Sequence, residues 1–157
     1  MRNSIPAVAS AANASPFWVG HQSTTRRALN SIFERALNGG DFSVAERGLI
    51  MACEFWTAAN GGILARHLGA DATAHLYLVS AVFAAIGARD LAHAIDMACT
   101  DLAGLTDKSA RRRYIMALES YVLTSDEPVD SLLARFAQRL AEAGGNTPPL
   151  ARTPAYS

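Results

Sequence analysis

The stretch ATAHLYLVSAVFAAIGA, residues 72–88, carries no formal charge and decides the fold. Leu76, Val79 and Phe83 lie on one side of the helix it would form. Leu78, Val82 and Ile86 lie on another. A helix that is apolar all round has to be enclosed by other apolar surface. At seventeen residues the stretch is short for a membrane span, which needs about 20. It also carries Thr73, His75, Tyr77 and Ser80. It therefore reads as a core helix, capped by Asp71, and no membrane association is expected.

The neighbouring segments read as helices able to enclose it. Upstream, Leu29, Ile32, Phe33, Ala36 and Leu37 repeat at helical spacing, and Gly39–Gly40 stops the pattern. Ser43 and Glu46 form an S-x-x-E capping box with Phe42 before it. The helix that follows, 44–60, is apolar over most of its girth, with Arg47, Glu54 and Thr57 as its polar marks, and Gly61–Gly62 ends it. Ile63 to Leu68 reads as a short helical piece. Downstream, Asp90 is expected to cap a helix whose inner face is Leu91, Ile95, Ala98, Cys99 and Leu102. Thr106 or Asp107 caps the next, with Ala110, Tyr114, Ala117, Leu118, Tyr121 and Val122 as its stripe. Pro128 opens the last, which turns Val129, Leu132, Leu133, Phe136, Ala137 and Leu140 inward.

No strand pattern is evident. The expected fold is all-α: a compact bundle of five long helices plus one short helix, with 44–60 and 72–88 central. Residues 21–145 form the single domain. Residues 1–20 read as a flexible N-terminal tail and 146–157 as a disordered C-terminal one. Phe17, Trp18 and Val19 are the exception in the first tail and are expected to dock on the domain.

Composition narrows the function classes. Fourteen basic residues balance fourteen acidic ones, whereas a dedicated nucleic-acid binder shows a basic excess. All basic residues but Lys108 are Arg, the bias of a genome rich in G and C, and a bacterial source is expected. Cys53 and Cys99 stand in no metal-ligand spacing and read as reduced thiols of a cytoplasmic protein. No nucleotide-binding loop, hydrolase elbow or metalloprotease motif occurs, and no cofactor is expected.

Three groups of side chains invite a chemical reading. Glu54 lies in the most apolar part of its helix, beside Trp56. Were that helix to neighbour 72–88, then Glu54, Trp56 and His75 could line a small-ligand pocket, with the carboxylate raised in pKa by its setting. The plainer reading pairs Glu54 with an arginine. His93 and Asp96 are neighbours on one helix surface, but two ligands do not make a metal site. Arg111, Arg112 and Arg113 form a basic run. Successive residues diverge by about 100° on a helix, so Lys108, Arg111 and Arg112 share a side while Arg113 does not. That side could hold an anionic partner, or pair internally with Asp96, Asp101 or Asp130.

The excess of apolar helix face and the lack of a catalytic signature together favour a non-enzymatic interaction domain, a regulator or adaptor, acting as a homodimer or on a protein partner. The alternatives are a ligand-binding or metal-binding bundle around Glu54 and His75, and nucleic-acid binding through Arg111–Arg113.

Overall fold

A computed structural model of the chain describes residues 24–69 and 72–143. The expected tails and the Phe17–Val19 docking lie outside them, as does the Asp71 cap. Among the described residues seven helices follow one another: α1 (Thr24–Leu37), α2 (Val44–Asn60), α3 (Leu64–Leu68), α4 (Ala72–Ala85), α5 (Arg89–Ala103), α6 (Lys108–Leu123) and α7 (Val129–Ala143). The fold is all-α. Each segment traced above by its caps is a helix of its own, so six are long rather than five.

Glycine turns set the corners. Gly39, Gly62 and Gly87 sit at φ of 71°, 71° and 88°, the left-handed region that glycine enters cheaply. At the third corner Ala88 N–H donates to Phe83 O at 2.9 Å and Gly87 N–H to Ala84 O at 3.1 Å, the paired bonds of a Schellman motif. That motif closes α4 at Ala85, three residues before the expected end at Ala88, and turns the chain back so that α5 runs along α4. The small residue Ser80 fits this close approach. Its buried hydroxyl donates to Ala92 O on α5 at 3.0 Å.

α2 is the hub, touching α1, α3, α4, α6 and α7. Phe55 and Phe83, both fully buried, join α2 to α4 edge to face, with ring centroids 6.0 Å apart at 84°. Leu49, Cys53, Leu76, Val79, Val82, Leu91, Ile95 and Leu133 complete the centre. No helix among the described residues is long and apolar enough to cross a membrane.

Local caps hold as expected at α2. Ser43 Oγ accepts from Glu46 N–H, and Glu46 Oε1 accepts from Ser43 N–H, both at 3.1 Å. Glu46 also pairs with Arg35 at the end of α1. Burial raises the Glu46 carboxyl, but the Arg35 and Ser43 hydrogen bonds and the Arg35 charge outweigh it and hold the pKa below the ordinary value.

Three expectations are corrected. Asp90 does not cap α5, because the Gly87 turn starts that helix at Arg89. The free amides of Asp90 and Leu91 instead donate to the Glu127 carboxylate at 3.1 and 3.3 Å. Leu37 is 53% exposed, since the chain leaves α1 for the Gly39 turn at that point. On α6 the buried face is Ile115, Leu118 and Val122, while Ala117 and Tyr121 are exposed. The stripe is rotated because α6 packs on α2 and α3 as well as α5.

Candidate functional site

Glu54 is buried, at 5% exposure. Its Oε2 lies 3.9 Å from Nε2 of His67 on α3, a residue the sequence reading did not connect with it. Trp56 leaves α2 on a different side, two residues on and so about 200° round the helix. Its indole N–H donates to Asp130 Oδ1 on α7 at 2.7 Å. Glu54 and Trp56 thus serve two different helix junctions. α2 and α4 are neighbours, as the Glu54–His75 reading requires, but the His75 side chain lies outside the described residues.

Around these groups, Cys53 is fully buried, and that burial pushes its thiol far above the ordinary range. The Cys99 thiol is also raised, by partial burial and by Asp96. Both cysteines are free. Among the described residues no three His, Cys, Asp or Glu side chains gather as a metal site would require.

A cleft of about 1050 Å³ opens elsewhere, between α3 and α6. One wall is the α6 face Lys108, Arg111, Arg112, Ile115, Met116 and Glu119, whose spacings of three and four place them in one row. The other wall is Ile63, Ala65 and Arg66, and the α5–α6 turn closes one end with Leu105 and Thr106. The three cationic candidates of the sequence reading, Lys108, Arg111 and Arg112, all line this cleft. Arg113 does not. Neither Glu54 nor Trp56 is among its lining residues.

The charges of the cleft are not equivalent. Arg111 donates to Leu102 O at 2.5 Å and Leu105 O at 3.0 Å, so it closes the C-terminal end of α5. Glu119 accepts from Leu64 N–H at 2.8 Å and so caps α3 from the opposite wall. Asp107, at the start of α6, is engaged by Ala110 N–H at 2.8 Å. The side chains of Arg66, Lys108 and Arg112 are exposed and have no hydrogen bond or ion pair among the described residues. Between them lies aliphatic surface: Ile63 is 50% and Met116 51% exposed, and Ile115 forms the buried base. Asp101, one of the acids expected to answer the arginines, accepts from Tyr114 O–H at 2.6 Å.

The row on α6 was readable from spacing, and extending it by one turn beyond Arg112 reaches Ile115 and Met116. Arg66 and Ile63 carried no such signal, because only the return of α3 against α6 brings them into place. No protein-family model, curated protein or solved structure matches the chain.

Proposed function

We propose that the chain is a non-enzymatic interaction domain, of the regulator or adaptor kind, and that the α3–α6 cleft is its working surface. Its ligand combines negative charge with apolar surface. The observation that carries this reading is the pairing of three cations, without a partner among the described residues, with exposed aliphatic carbon in one concavity. Exposed cations are ordinarily solvated, and isolated exposed apolar side chains are ordinary too. Their combination in one groove matches an anionic ligand with an apolar body. The described residues that line the cleft include no Cys, Ser, His or Asp, and binding rather than turnover is proposed.

Calorimetry with laurate, dodecyltrimethylammonium and dodecyl maltoside, each below its aggregation concentration, tests this. Laurate is expected to bind, more weakly as salt rises, and the double variant Lys108→Glu/Arg112→Glu to lose at least about tenfold in affinity, or 1.4 kcal/mol. Equal binding of the cationic or neutral amphiphile, or an unchanged double variant, refutes the reading.

Homodimerisation is a second reading, favoured by Leu37 and Val44 at the α1–α2 corner, exposed by 53% and 65%. A single monomeric species in sedimentation equilibrium, at protein concentrations up to the solubility limit, removes it.

A further inference from the structure

The shape and charge count of the cleft narrow its ligand further. We propose that its occupant is an acidic amphipathic helix of a protein partner, laid along α6 with its apolar seam on Ile63, Ile115 and Met116. This inference rests on the reading of the cleft as an anion-accepting surface.

Length is the first argument. From Lys108 to Glu119 the α6 wall rises about 16 Å, three helical turns. A helix laid along this wall packs its side chains between those of α6 at an axial distance of about 8–10 Å, and the shorter α3 wall, Leu64–Leu68, flanks only part of it. Helix-in-groove recognition uses anchors at i, i+3, i+4 and i+7 for the same reason.

Charge is the second argument. Lys108 and Arg112 stand on one wall and Arg66 on the other. A ligand with a single acidic head meets one or two of them. A helix with carboxylates on both flanks of its seam meets all three. Arg111 strengthens the same field while held in place by the α5 carbonyls, and Glu119, the one carboxylate among the described residues that line the cleft, is already engaged by Leu64 N–H. A polyanion with no apolar face, such as a nucleic-acid backbone, would leave Ile63 and Met116 facing phosphate. The aromatic stacking platform of a single-strand binder is missing among the residues that line the cleft. Exposed methionine suits a peptide surface, since its unbranched thioether adapts to varied side chains.

The N-terminal part of this chain is a poor occupant by the same criterion. Residues 1–33 contain no Asp or Glu, so they offer no carboxylate side chain to these cations.

The test uses the full chain and three helix-favouring peptides of about four turns. The first has a leucine seam flanked by glutamates, the second the same seam flanked by lysines, and the third the glutamates with the seam scrambled. Fluorescence anisotropy is expected to show binding of the first alone. Its affinity should fall at least tenfold with Arg66→Glu/Arg112→Glu and with Met116→Asp, while Arg113→Glu, one position off the cleft row, changes it less than twofold. Circular dichroism of each variant establishes that it is folded. Arg111 is left intact because it closes α5. Binding of the scrambled peptide as tightly as the first, or tighter binding of a single-stranded oligonucleotide, overturns the proposal. If laurate binds but the acidic peptide does not, the proposal falls while the reading of the cleft stands. If neither binds, both fall.

Discussion

Single side chains here do work that composition does not show. Burying a carboxylate is costly unless it is partnered, and Glu54 is buried beside the His67 imidazole. Replacing it by alanine takes the carboxylate away from the imidazole 3.9 Å off and leaves the α2–α3 junction without that polar partner. The expected loss is about 1–3 kcal/mol, read as a lower midpoint in urea at an unchanged slope. Tyr114 gives a sharper signature. Burial and the hydrogen bond to Asp101 push its phenol from 10.0 up to about 12. The folded state thus holds that proton more tightly than the unfolded one. The stabilisation is complete below pH 10 and disappears as the pH climbs towards 12. Tyr114→Phe is expected to flatten the stability profile across that window in denaturant titrations at stepped pH. The apolar setting of Glu54 is visible in the local sequence, but its neighbour His67 is not, and Tyr114 looked like part of a buried stripe.

Helix ends divide into those set by neighbours in the chain and those set by the fold. The Ser43–Glu46 box and the glycine corners at Gly39 and Gly62 are local, so spacing revealed them, whereas the Gly87 corner fell inside the expected 72–88 helix. The ends of α5 and α3 are different. Glu127 closes the first turn of α5 across 36 residues of chain, and Glu119 closes α3 across 55. No window of sequence around Asp90 or Leu64 contains the group that answers those amides. Asp90, a good capping residue by type, was the natural and mistaken choice. Glu127→Ala is expected to cost about 1 kcal/mol, the usual worth of a cap, and to raise hydrogen-exchange rates at the amides of Asp90 and Leu91 ahead of those in the middle of α5. The candidate site follows the same division. The row Lys108, Arg111, Arg112 is a property of one helix and was legible. The opposite wall with Arg66 depends on α3 returning against α6, and was not.

At the scale of the molecule, α2 carries the arrangement. It packs on α1, α3, α4, α6 and α7, and its contact with α4 is an aromatic pair at the centre of the core. The near-uniform apolarity of 44–60 and 72–88 announced that both would be enclosed, and most of α4 is, with Tyr77 left 42% exposed. Phe55→Ala opens a cavity where α2 meets α4 and is expected to cost about 3–5 kcal/mol. That is a large share of the roughly 5–15 kcal/mol that holds a domain together, so a marked fall in the thermal midpoint should be seen by circular dichroism.

Glu119 has one further consequence. It belongs to α6, yet its carboxylate secures the first amide of α3, so this hydrogen bond is a strut between the two banks of the groove. Any visitor that draws the carboxylate away loosens the far bank, and one that leaves it alone finds the channel already set to width. The exchange rate of the Leu64 amide proton is therefore a built-in gauge of that width, readable by nuclear magnetic resonance without any label on the visitor.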